Sequence, residues 1–187
     1  MKKLFLTLFT LCSSAFALEN AGQEWQEKTK KSYWSTQDKV IIGENADKKK
    51  SVLWTSKKFS DYELVVKFKT ESKDYDSGVF LRGPSHQVQI GVSRSLKKDL
   101  TACIYAPVDK KGKYPAASDQ VKELHKLGEW NEMKITVKGK NIQVTLNGTQ
   151  TVNYDAVKLK ESGPIGLQLH PGVHQKIEFE ILSLKEL

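Results

Sequence analysis

Three short segments hold the side chains best suited to chemistry: Gly78-Val79-Phe80-Leu81-Arg82, Gln87-Val88-Gln89-Ile90-Gly91-Val92 and Ile165-Gly166-Leu167-Gln168-Leu169-His170. In an extended strand successive side chains point to opposite faces. Val79 and Leu81 therefore share one face against Gly78, Phe80 and Arg82. Val88, Ile90 and Val92 oppose Gln87, Gln89 and Gly91, and Ile165, Leu167 and Leu169 oppose Gly166, Gln168 and His170. If the three strands are neighbours, Arg82, Gln89, Gln168 and His170 meet on the outer surface of one sheet, with glycines leaving room for a ligand. Planar amides and a guanidinium donate and accept in fixed directions, which suits the hydroxyl and carbonyl groups of a sugar.

The rest of the chain supplies the strands such a surface needs. Residues 62–69 and 133–138 alternate apolar and polar with period two, as do 141–146 and 176–184. Asn147-Gly148 is a two-residue hairpin signal, so 130–154 reads as a meander. Two stretches break the pattern. Residues 24–39 hold Trp25, Tyr33 and Trp34 among charges and fit either a short helix or an extended arm. Residues 107–128 form a long lysine-rich connection in which 119–126 predicts a two-turn helix capped by Asp119. Many short strands and no long helical period predict an all-β sandwich or jelly roll.

The first residues read as an export signal: Lys2 and Lys3, an apolar run from Leu4 to Cys12, then Ala15-Phe16-Ala17. Residues 1–17 are the expected signal peptide, and 18–187, which is 187 − 17 = 170 residues, one domain in the periplasm or outside the cell. The bulky Leu11 before Cys12 disfavours a lipid anchor. No later apolar run approaches a membrane span. Of the two cysteines only Cys103 remains after cleavage, and its apolar neighbours predict a buried, inert thiol. The net charge is +8. The lysines are scattered, as in 48–50, 57–58, 97–98 and 110–111, which predicts a solvated surface with protected sheet edges and no nucleic-acid stripe. Attraction to an acidic polysaccharide or anionic envelope fits the same charge. His170 and His174 are four apart, but Pro171 and Gly172 break any helix that would align them, so no metal site or other cofactor is expected. His86 and His125 read as surface residues.

Residues 53–64, the Asp76-Ser77-Gly78-Val79-Phe80-Leu81-Arg82-Gly83 run, Gln87-Val88-Gln89-Ile90, Gly128-Glu129-Trp130-Asn131, Leu146-Asn147-Gly148 and Gly163-Pro164-Ile165-Gly166-Leu167-Gln168 occur in one order. In that order they resemble the 3-keto-disaccharide hydrolase domain family over about residues 34–187. The resemblance implies a concanavalin A-like jelly roll of two antiparallel sheets, export, and cleavage of glycosides whose sugar carries a ketone at C3. Such a ketone acidifies the C2 hydrogen, so a base and an oxyanion-stabilising group suffice for elimination, and water then adds back. On this reading His170 is the general base or acid, Arg82 stabilises the oxyanion, and Gln89 and Gln168 orient the substrate. Tyr105 or Trp130 stacks on a sugar ring, and Asp76 holds Arg82 or a hydroxyl. Relatives commonly have glutamate where this chain has Gln87, and a neutral amide cannot be the base. A non-catalytic lectin-like module is therefore the alternative, and an envelope protein using its basic surface a third reading. The structural alternatives are an Arg82 that braces the fold, a His170 that merely ends a strand, and a Trp130 in the core.

Overall fold

A computed structural model describes residues 17–109 and 112–187; the expected signal peptide lies outside them except for Ala17. Fourteen strands and one short helix follow in chain order: β1 (Ala17–Asn20), β2 (Gln23–Glu27), β3 (Trp34–Gln37), β4 (Val40–Glu44), β5 (Ser51–Thr55), β6 (Tyr62–Lys69), β7 (Asp76–Phe80), β8 (Gln87–Gly91), β9 (Ile104–Tyr105), α1 (Val121–Leu124), β10 (Asn131–Lys138), β11 (Asn141–Leu146), β12 (Thr149–Asp155), β13 (Gly166–Leu169) and β14 (Lys176–Glu186). They build two antiparallel seven-stranded sheets, β1-β2-β5-β13-β7-β8-β9 and β12-β11-β10-β6-β14-β4-β3. This is a jelly-roll sandwich, as the alternating strands predict.

The alternation fixes which face of each strand is buried. In β6, Tyr62, Leu64, Val66 and Phe68 point inward, and they meet Met133, Ile135 and Val137 from β10 and Phe179 and Ile181 from β14. Val79, Val88, Ile90, Leu167 and Leu169 close the core from the opposite sheet. Each large apolar side chain buried this way contributes about 1.5–3 kcal/mol, so a core of this size holds without a disulfide. Among the described residues Cys103 is buried and free, in a small satellite cluster with Leu100 and Val121.

The two irregular stretches resolve on physical grounds. Residues 24–39 are extended, forming β2 and β3, because Trp25 and Trp34 insert between the sheets and need strand spacing to do so. Glu27 is buried in this corner, where its carboxylate accepts hydrogen bonds from the Ser51 hydroxyl (2.5 Å) and the Tyr33 backbone N–H (3.0 Å). Helix α1 has only four residues, and Gln120 rather than Asp119 precedes it, with no side-chain cap. The Asp119 carboxylate instead faces Lys98 at 3.4 Å. The Asn131 side chain pairs with both the N–H and the carbonyl of Lys126, two residues past the helix end. Neither His86 nor His125 is a surface residue. His86 is buried 3.4 Å from Asp109, and His125 is nearly buried with Nδ1 2.6 Å from Asp99. Their acidic partners lie 23 and 26 residues away in the chain, beyond the reach of any local pattern. Among the described residues no helix is long and apolar enough to cross a membrane.

Candidate functional site

The register of the first sheet sets its outward side chains in rows. Trp54, Gly166, Phe80, Gln87 and Tyr105 are cross-strand partners in one row, and Val52, Gln168, Gly78 and Gln89 form the next. Asp76 and Gly91 continue into a third row, where the His170 N–H donates to the Asp76 carbonyl at 3.2 Å. Rows two residues apart are about 6.8 Å from one another and strands about 4.8 Å, so these side chains fall within reach of one small molecule. Loops following β8 and β9 wall the rows in, leaving an open depression of about 340 Å³. Asp76, Gln87, Gln89, Tyr105, Gln168 and His170 all line it, with Phe80, Tyr114 and the cations Lys50, Arg94 and Lys113.

Hydrogen bonds define which polar atoms remain available. The Ser77 carbonyl can only accept, so the Gln87 amide directs its NH₂ there at 3.0 Å and, at 2.7 Å, to Gln168 Oε1. The Gln168 NH₂ is thereby turned toward the depression as a donor. The Tyr114 hydroxyl donates to Gln89 Oε1 (3.4 Å), and Gln89 Nε2 donates to Asp76 Oδ1 (2.9 Å). Asp76 Oδ2 accepts from the Arg94 backbone N–H (3.2 Å) and lies 4.0 Å from His170 Nε2. Burial raises the Asp76 carboxyl above the ordinary carboxylate range, against the opposing pull of Gln89, His170 and Arg94. Burial also pushes the Tyr114 phenol up to about 12, which keeps its proton in place at neutral pH.

His170 is fixed but open. Its Nδ1 lies 2.6 Å from the Pro171 carbonyl, which can only accept a hydrogen bond. In the neutral ring Nδ1 therefore carries the hydrogen, and Nε2 presents its lone pair toward Asp76 and the depression. The backbone beneath is clamped by buried amides. Gln175 exchanges hydrogen bonds with both the N–H and the carbonyl of Asp76 (3.0 and 2.8 Å), and Asn45 donates to the His170 carbonyl (3.0 Å) while accepting from the Gln175 N–H (3.1 Å).

Two residues expected at the site lie elsewhere. β7 ends at Phe80, and Arg82 takes a left-handed backbone conformation (φ +52°) that carries its side chain off the row. The guanidinium is sealed in the protein, donating to the carbonyls of Ser60 (2.5 Å), Gly139 (2.7 Å) and Lys160 (2.9 Å) and to the Asp61 carboxylate (3.0 Å). It is unavailable to a substrate oxyanion, and its partner is Asp61 rather than Asp76. Trp130 immediately precedes β10 in the other sheet; it is 37% exposed, belongs neither to the core nor to the depression, and lies under Lys69 Nζ at 5.2 Å. Conversely, Lys50, Arg94, Lys113 and Tyr114 sit in irregular segments, where no periodicity marks them for the site.

The jelly-roll fold is shared with glycosyl hydrolase-like and lectin-like proteins. Crystal structures of two putative glycosyl hydrolases from Parabacteroides distasonis match the fold. One is 24% identical with a TM-score of 0.64, covering 82% of this chain and 90% of that one; the other is 18% identical with a TM-score of 0.59, covering 83% and 84%. The carbohydrate-binding module CBM66 from Bacillus subtilis matches at 9% identity and a TM-score of 0.57, over 87% of this chain and 95% of that one. Comparison with curated proteins gives no match. The family model of the 3-keto-alpha-glucoside-1,2-lyase-like domain matches residues 17–185, and the chain belongs to that family.

Proposed function

We propose that the protein is an exported lyase or hydrolase of 3-keto-glycosides, with the depression over β13, β7 and β8 as its active site. His170 Nε2 removes the C2 proton of the bound sugar. The electrons pass into an enolate at the C3 oxygen, and the enolate then expels the C1 substituent, whose oxygen takes a proton from solvent in the open depression. Water adds across the resulting double bond to give the free 3-keto sugar. Asp76 steadies the imidazolium formed in the first step. The Gln168 NH₂ and the cations Lys50 and Lys113 offset the enolate charge, with Arg94 beside them in its ion pair with Asp74 (2.5 Å), the role that Arg82 is too enclosed to take. Gln87 and Gln89 orient the sugar, and Tyr105 borders it as a stacking surface.

The observation carrying this reading is the His170 ring, with Nδ1 occupied by a carbonyl and Nε2 facing the depression beside Asp76. Export is supported by the basic and apolar character of residues 2–17. The test is to incubate the purified protein with 3-keto-glucosides and follow leaving-group release. Release by wild type that is lost in His170→Ala is the expected result. Glycan binding without release would favour the lectin-like reading, which Gln87 fits as a binding amide.

A further inference from the structure

Beyond the depression the outward row leads to a second open cleft, of about 310 Å³, at the Arg82 end of the same face. Gly166 sits between Trp54 and Phe80 in the register. With no side chain at 166 the two rings meet across it, stacked with centroids 5.4 Å apart and planes 16° from parallel. A Cβ on Gly166 would lie 2.6 Å from the Trp54 ring, so glycine is what permits the stack. Phe80, itself buried, borders the depression, and the half-buried Trp54 stacked on it borders the cleft, so the aromatic pair joins the two. Lys28, Lys58 and Lys160 line the cleft, and among the described residues no carboxylate does. Arg82, also in its wall, is already paired with Asp61.

We propose that this cleft is the leaving-group subsite, and that it selects 3-keto-glycosides whose C1 substituent is a ring carrying a carboxylate or similar anionic group. The inference rests on the reading of the depression as the site of cleavage. Trp54 lies two rows from His170, about 13 Å along the strands, a gap that the His170 and Trp54 side chains and a ring linked at C1 together span when the keto sugar fills the depression. Aromatic faces bind the C–H faces of sugars or other rings by stacking. Three lysines in a wall that no described carboxylate lines lend the far end a positive field that a carboxylate fits and a neutral group does not.

The experiment compares 4-carboxyphenyl and phenyl 3-keto-glucosides on wild type and on the double variant Lys58→Gln/Lys160→Gln, with binding of the corresponding unoxidised glucosides followed by tryptophan fluorescence. Wild type should prefer the carboxylate by about three- to tenfold in kcat/KM and in binding, given the modest strength of solvent-exposed ion pairs. The preference should vanish in the double variant and in high salt, with phenyl glucoside handling unchanged. Trp54→Leu should weaken binding of both glucosides. If both substrates turn over equally and the lysine variant changes nothing, the subsite is refuted while the active-site reading stands. If neither turns over but the carboxylate still binds preferentially through Lys58 and Lys160, the active-site reading fails and the anion-selective cleft stands.

Discussion

The two ends of β7 are built from similar materials and do opposite things. At Asp76 a charged side chain is held by buried amides, and the atoms left over, His170 Nε2 and the Gln168 NH₂, face an open depression. At Arg82 a charged side chain is held just as firmly, but each of its guanidinium nitrogens donates to a protein oxygen. Burial and hydrogen bonding are common to both ends. What separates a reactive centre from a brace is whether polar capacity remains once the protein's own bonds are counted.

The largest expected contrast comes from removing each centre. His170→Ala should lower turnover by about 100- to 10,000-fold, the range for loss of a general base, with little change in unfolding midpoint because the ring is partly exposed. Arg82→Ala should do the reverse. Three carbonyls and the Asp61 carboxylate lose the buried guanidinium that ties them together, so unfolding free energy should fall by about 3 kcal/mol in denaturant titrations, while turnover per folded molecule persists. Loss of chemistry without loss of stability in Arg82→Ala would erase the distinction.

A smaller effect is expected at Gly78, the gap under the glutamine pair. A Cβ there would lie 1.9 Å from Gln87 Nε2 and 2.6 Å from the Val88 carbonyl. Gly78→Ala should destabilise the fold by about 1–3 kcal/mol through overpacking, and by displacing Gln87 should raise KM more than it lowers kcat. Steady-state kinetics beside thermal unfolding would separate the two contributions.

The smallest effect sharpens the Asp76 end through pH. Its carboxyl is raised in the folded protein, so the native state binds that proton more tightly than the unfolded chain does. Stability from this group is full below the ordinary carboxylate pKa and is lost as pH rises through the raised value. Turnover should move the other way, falling as acid protonates Asp76 and removes the charge that steadies the imidazolium. Asp76→Asn should flatten the stability profile and be at least as stable as wild type at neutral pH, yet turn over more slowly. Unfolding midpoints and initial rates across the acid range check both.

The sandwich was legible in the sequence because period-two alternation in β6, β10, β11 and β14 dictates which face meets the core. Strand parity likewise puts Gln87, Gln89, Gln168 and His170 in outward rows. Parity ends before Arg82 because β7 stops at Phe80, and the left-handed turn at Arg82 occurs at a residue type that does not signal one. Asn45 and Gln175, which clamp the Asp76 and His170 backbone, act 125 and 99 residues away from their partners and leave no local trace. Arg94, Lys113 and Tyr114 reach the depression from irregular loops, where side-chain direction follows no period.

Proton removal at C2 is observable apart from bond cleavage. In deuterated water with a 3-keto-glucoside, recovered substrate and product can be examined for deuterium at C2. Wild type should incorporate deuterium at C2 and His170→Ala should not, while Arg82→Ala incorporates it in proportion to its folded fraction. Equal incorporation by wild type and His170→Ala would contradict the assignment of His170 as the base.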